Sequence, residues 1–387
     1  MDITEDHLVE LFLQNRDLAE KTRIRYLHAI KIYSEFINKT PTQWIEEAEN
    51  EEEDRIRMRK RKIKTYQLDF KKFLESKNYT TWTLKSMIIP IRIFYKEYDI
   101  EIPDLKIKNT TPEESYDDIP SKEDIRLALQ YANLKYRAII LLFSSSGMGV
   151  AELLSIKYND LLNSLKEYIT IPKNTHIDIE ELIHLIKVQK EKNQIIIPTW
   201  QLTRKKTGKP FISFSTPESL DILLEYLKSD PPQKLETPLI RGNNPNKPLN
   251  RRALFKHLER INDKCEFGKP HRQIKIRSHA IGRKYFTNVL YHNGLQQLSI
   301  DFFLAHNIDK TTSAYFKNDI ESLKNQYITC IDDLSIENTE VRVLESEDKK
   351  RLSQMEIESR KQAEQIAALQ RQLGRKDEIE KLRPKED

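Results

Sequence analysis

Cysteine is nearly absent from this chain: Cys265 and Cys330 are the only two, they stand far apart, and neither belongs to a spacing of metal ligands. That argues against a disulfide framework or a zinc ribbon, and it points to a reducing, cytoplasmic setting. Long apolar runs are lacking too. No stretch approaches the roughly 18 consecutive apolar residues that cross a bilayer, and the opening MDITEDHLVE is acidic, without the apolar segment of a signal peptide. The expectation is a chain with neither a membrane span nor a secretory leader. A large charge excess is also missing: 32% of the residues are charged, yet 65 Lys and Arg against 60 Asp and Glu leave a formal net charge of only +5. A nucleic-acid partner has to be argued from where the positive charge clusters.

What is present is enough apolar material, 38% of 387 residues, for two domains and an appendage. In TRIRYLHAIKIYSEFI, residues 22–37, Tyr26, Leu27, Ile30, Tyr33 and Phe36 recur at helical spacing. Further helices are expected at 55–76 and 80–98, which makes residues 1–100 a helical domain. Between the first two the charge switches abruptly, from acidic Glu46–Asp54 to basic Arg55–Lys64. Such a run reads either as a solvated, salt-bridged face or as a phosphate-contacting helix carrying Arg55, Arg57, Arg59, Lys60, Arg61, Lys62 and Lys64. Residues 101–118, polar and with two prolines nearby, read as a linker.

The second half mixes helices with one hairpin. Ser121 is placed to cap a helix, and NLKYRAIILLFSSSG comes next as a nearly continuous apolar helix that should be buried. QIIIPTWQLTRKKTGKPFISFS reads as two β-rich runs around a Lys-Thr-Gly-Lys turn, and helical patterns resume at 217–228, 249–262, 279–293, 296–305 and 319–329. Beyond residue 340 a polar segment rich in Gln, Glu, Lys and Arg reads as a long helix or coiled coil over 340–387.

The chemistry concentrates in residues 276–319, IRSHAIGRKYFTNVLYHNGLQQLSIDFFLAHNIDKTTSAYFKND: a histidine before RKYF, an apolar helix ending in Leu-Ala-His, and a tyrosine nine residues after that histidine. A tyrosine phenol titrates near 10, so its attack on a phosphodiester needs a partner for its proton and cations for the phosphoryl oxygens. Histidines can serve the first need, guanidinium and ammonium groups the second. This pattern, with the T-R-x-R-Y start and the Lys-Thr-Gly hairpin, resembles the tyrosine recombinase (phage integrase) family over roughly residues 10–330, archaeal integrases most of all. The resemblance implies site-specific DNA recombination and integration, as for a mobile genetic element, through a 3′-phosphotyrosyl link made by Tyr315 with His306, His279 and Arg283. Lys206 would protonate the leaving 5′-oxygen, with Lys205 and Lys209 as competitors for that role. It further implies double-stranded DNA as partner, a tetrameric synapse, no metal and no cofactor. The implied fold is mostly α with a small β-hairpin: a two-domain DNA clamp with a helical core-binding domain and an α+β catalytic domain over 119–335. Arg204, Lys205 and Lys209 on the hairpin would contact DNA phosphates.

Two positions depart from the family pattern. The first phosphate-clamping arginine should stand where SSSGMGVAEL has Gly149, three residues before Glu152, and the second where Gly282 stands, one residue before Arg283. Arg283 is the expected second clamp residue, brought into place by a shifted turn at Gly282. Arg137 and Lys157 are the cations nearest in sequence to the gap at Gly149. The alternative is an integrase-like DNA-binding protein whose cleavage is weakened or lost.

Overall fold

Caps and apolar spacing account for the helices of the first half. In the computed structural model, which describes residues 3–107, 118–172, 175–269, 274–306 and 320–337, the chain divides into two units, Met1–Glu114 and Ser115–Asp387. The first holds helices α1 (His7–Asn15), α2 (Glu20–Ile37), α3 (Pro41–Glu53), α4 (Lys62–Ser76) and α5 (Thr81–Glu97). Asp6 caps α1, and Thr40 with Gln43 forms a capping box at α3 behind Pro41. The aromatic rings of Tyr33, Trp44, Phe70, Phe94 and Tyr95 fill the core, with Trp44 4.7 Å from Tyr33 and 5.1 Å from Phe94 between ring centres.

The helix expected over 55–76 begins only at Lys62. Arg55 adopts a left-handed conformation (φ 56°), and Met58–Lys60 form a single 3₁₀ turn. The acidic run, by contrast, is helical. Its last buried carboxylate, Glu51, accepts the backbone N–H of Lys62 at 2.9 Å and so caps α4 from outside, where the helix dipole favours a negative charge. Arg61 is clamped by Glu52 (2.6 Å), Glu101 (3.2 Å) and the Ile56 carbonyl (2.8 Å), while Lys62 meets Glu47 at 2.6 Å. The charge switch is therefore partly an internal pairing of α3 with Arg61 and Lys62 at the start of α4. Arg55, Arg57, Arg59 and Lys60 stay exposed on the irregular segment and Lys64 is half-buried, so the seven cations do not share one helix face.

In the second unit Ser121 and Asp124 form a capping box on α6 (Lys122–Tyr131), as the sequence leads one to expect. Helix α7 (Leu134–Ser146) is buried along almost its whole length, and its three terminal serines bond to the carbonyls of Leu141 and Leu142 on their own helix, which satisfies their hydroxyls without water. Gly147 ends α7 in the left-handed region (φ 64°). A Cβ there would stand 2.5 Å from the Phe286 ring, so both the cap and the packing call for glycine. After it come α8 (Val150–Leu153), α9 (Tyr158–Ser164) and α10 (Ile179–Glu191). Strands β1 (Thr199–Thr203) and β2 (Pro210–Phe214) then pair antiparallel, Thr199 opposite Phe214 and Thr203 opposite Pro210. The hairpin is pinned by buried Trp200, whose indole N–H donates to Ser215 at 3.0 Å, and by Ser213, which donates to the Ser146 carbonyl at the end of α7. Helices α11 (Pro217–Ser229), α12 (Arg251–Lys264), α13 (Phe286–His292) and α14 (Gln297–Phe303) complete the frame around α7, and Tyr327 of the helix Ile320–Ile328 donates to the Ser145 carbonyl at 2.7 Å. Mostly helix with one small hairpin is the fold expected from the sequence.

Candidate active site

The residue offset at Gly282 has a structural counterpart. Residues Ala280–Tyr285 form a π turn running directly into α13. A π turn closes from i to i+5, so it takes in one residue beyond an ordinary α turn and leaves the helix after it in register. Gly282 is where the turn presses closest to its neighbours: a Cβ there would lie 3.0 Å from Phe143 and 3.1 Å from the Met148 carbonyl. The extra residue is thus absorbed, and Arg283 emerges towards the turn after α7. Its Nη2 lies 3.3 Å from the point where a Cβ on residue 149 would stand, and Nη1 donates to the Leu304 carbonyl at the end of α14.

Three further segments meet there. From α8, buried Glu152 accepts the backbone N–H of Lys205 at 3.2 Å, and its Oε2 would lie 2.3 Å from a Cβ at position 149. From the hairpin turn, half-buried Arg204 donates to the Ala305 carbonyl, and its own carbonyl accepts the Gly208 N–H at 2.8 Å, which closes the turn. From the end of α14, exposed His306 directs Nδ1 at Asp301 (2.7 Å), and its backbone N–H returns to the Asp301 carbonyl at 2.9 Å. An ionised carboxylate can only accept, so Nδ1 carries the proton and Nε2 is the nitrogen presented outward. Burial, then the charge of Arg204, push the Arg283 guanidinium down to about 10, with Glu152 pulling the other way. At neutral pH the Arg283 guanidinium is still charged.

Ala305 occupies the left-handed region (φ 52°) at the site where the family pattern has the glycine of Leu-Gly-His. That conformation costs a non-glycine residue about 1–2 kcal/mol, of which glycine gives back part through its freer unfolded chain. Ala305→Gly should raise the stability of this unit by about 0.5–1 kcal/mol, read as an upward shift of its transition in chemical denaturation. A loss of stability would show that the turn is unstrained.

Of the residues singled out from sequence, Arg283, Arg204 and His306 converge on this turn, with Lys205 attached to it through Glu152. Lys206 and Lys209 are exposed on the same hairpin turn, and His279 is exposed immediately before the π turn. Tyr315 and the segment 340–387 lie outside the described residues. Arg137 and Lys157 do not fill the gap at Gly149: Arg137 reaches both carboxylate oxygens of Glu337 at 2.9 Å, and Lys157 pairs with Glu236. Sequence reasoning passed over Asp301 as the partner of His306; its place one helical turn before the Leu-Ala-His end was the available signal. Cys265 and Cys330 are buried and unpaired. Among the described residues no cluster of three His, Cys, Asp or Glu is placed to hold a metal, and no helix is long and apolar enough to cross a membrane.

The family model described as the phage integrase family matches residues 121–322. The tyrosine recombinase XerA of Saccharolobus solfataricus is 23% identical over 304 residues, which is 78% of this chain and 84% of that protein. Among solved structures, the Tn1549 transposon integrase in complex with transposon right end DNA is similar at 13% identity and a TM-score of 0.51, covering 84% of this chain and all of that one.

Proposed function

The chain belongs to the phage integrase family, and from that premise we propose that it breaks and rejoins duplex DNA at specific sites through a phosphotyrosyl intermediate. In this reading the oxygen of Tyr315 forms a bond to phosphorus as the bond from phosphorus to the 5′-oxygen breaks. The phenol proton passes to a histidine, and Lys206 gives a proton to the departing 5′-oxygen. The ester energy is kept in the phosphotyrosine for the reverse step, so no outside energy source is required. Arg283 and His306 face the phosphate, His279 stands beside them, and Lys205 and Lys209 hold the flanking backbone.

The observation that carries the reading is the convergence of Arg283, Arg204 and His306 on one turn, beside a hairpin that brings Lys206 to the same side of the fold. Cations grouped around one buried carboxylate make an anion site. A phosphodiester is the anion that the family chemistry requires. Exposed Arg55, Arg57, Arg59 and Lys60 fit contacts to the DNA backbone, where each neutralised phosphate adds to the salt dependence of binding. Strand exchange would proceed in a synapse of four protomers.

The test is covalent capture. A duplex bearing a site selected for binding from random-sequence DNA, nicked so that the strand beyond the cut diffuses away, is incubated with the full chain and denatured. A denaturation-resistant adduct, mapped to residue 315 by peptide mass, is the expected outcome. Sequence-specific binding without adduct on any nicked site would instead establish a DNA-binding protein that does not cut.

A further inference from the structure

Position 149 carries no side chain where the family pattern puts an arginine, and the ends of Glu152 and Arg283 border it. Its backbone is ordinary extended chain (φ −79°, ψ 163°), so conformation does not demand glycine. Nor does the backbone packing: the atoms a Cβ would meet, Glu152 Oε2 at 2.3 Å and Arg283 Nη2 at 3.3 Å, are the far ends of two flexible side chains. Arg283 thus reaches the place of the missing arginine, and a second guanidinium, that of Arg204, stands close enough to act on it. Arg204 and Arg283 donate to successive carbonyls, those of Ala305 and Leu304, at the end of α14. The negative end of a helix helps hold two cations, yet each guanidinium has five N–H donors and gives only one of them to the turn. Among the described residues the carboxylate acting on Arg283 is that of Glu152, so two positive charges face one negative there. Like charges held together at half burial are costly unless an anion completes the group.

Resting on the cleavage reading above, we propose that Arg204, from the hairpin turn, supplies the second guanidinium of the phosphate clamp in place of any residue at 149. Arg283 and Arg204 take the two non-bridging oxygens of the scissile phosphodiester, while Glu152 stays between the α8 turn and the hairpin as their fixed counter-charge. Its bond to the Lys205 N–H ties the hairpin backbone to the turn at Gly149. Sequence reading had placed Arg204 among the hairpin residues that contact DNA phosphates. The structure puts its guanidinium on the carbonyl just before His306.

The experiment compares two nicked substrates that differ at the scissile position, one a phosphodiester and the other an uncharged methylphosphonate, with Arg204→Gln in the full chain. Glutamine keeps amide N–H donors on a shorter side chain and removes the charge. Adduct formation should slow about 10²–10³-fold on the phosphodiester and stay within about tenfold of the unmodified chain on the methylphosphonate, which has no anionic oxygen to neutralise. Equal losses on both substrates would assign Arg204 a purely structural part and overturn the proposal, as would an unchanged rate on the phosphodiester. Because the readout is a ratio between substrates for one preparation, partial unfolding cannot imitate it. In the otherwise unmodified chain, Gly149→Arg should leave cleavage unchanged or lower it; a sharp rise would show an empty clamp position and also overturn the assignment. No adduct from the unmodified chain would overturn the cleavage reading itself, a result distinct from any of these.

Discussion

Tyr315→Phe should abolish the covalent protein–DNA adduct completely while leaving affinity for the site unchanged. The substitution removes one oxygen and nothing else, so base and phosphate contacts made by other residues persist and only the nucleophile is lost. The effect should exceed that of any other single change, because clamp and proton-transfer variants still possess an attacking group and merely slow it. Other tyrosines of the second unit are poor substitutes. Tyr327, Tyr285 and Tyr158 donate to the carbonyls of Ser145, Asp333 and Ile177, and burial drives their phenols upward, away from the phenolate. Tyr291 is 64% exposed and therefore serves as the control: Tyr291→Phe should form adduct at the unmodified rate. Adduct surviving in Tyr315→Phe, seen on a denaturing gel with labelled DNA, would move the nucleophile elsewhere and break the register between His306 and residue 315.

Local physics made most of the fold readable. Apolar spacing announced α2, α5 and α7, Ser121 announced the start of α6, and the Lys-Thr-Gly-Lys turn announced the hairpin. What stayed hidden depends on partners distant in sequence. The interruption at residues 54–61 leaves no mark in the charge pattern, because it is set by Glu51 capping Lys62 and by Glu52 with Glu101 holding Arg61. Helix α3 escaped notice since its apolar face is short, with Trp44, Ile45 and Ala48 followed only by Glu51 among its buried positions. At the site the sequence exposed the two departures, Gly149 and Gly282, but not their resolution. The shifted turn expected at Gly282 takes the form of a π turn, and Gly149 is bordered by the ends of Glu152 and Arg283. No spacing rule links Arg204 to Ala305, because the contact exists only once hairpin and α14 have packed.

Arg283→Ala should lower the rate of adduct formation by about 10²–10³-fold, the usual consequence of deleting a charge-stabilising donor from a phosphoryl-transfer site. The guanidinium is set for that task at some energetic cost. Half-buried and beside Arg204, it is harder to keep charged than a surface arginine, and an incoming phosphate repays the difference just where negative charge accumulates. The same deletion removes one phosphate contact, so the slope of log K against log salt for duplex binding should become shallower by about 0.9. Arg283→Lys should fall between the two, since an ammonium keeps the charge but cannot hold the Leu304 carbonyl and a phosphate oxygen in one planar fork. The sign of the pH dependence comes from the same shift. The guanidinium, pushed down to about 10 in the folded chain, stays protonated through pH 6–8. Any change in cleavage rate across that window therefore belongs to other groups, and the ratio of Arg283→Ala to unmodified rates should be flat with pH. A ratio that climbs towards unity at one end would place Arg283 outside the step that limits cleavage.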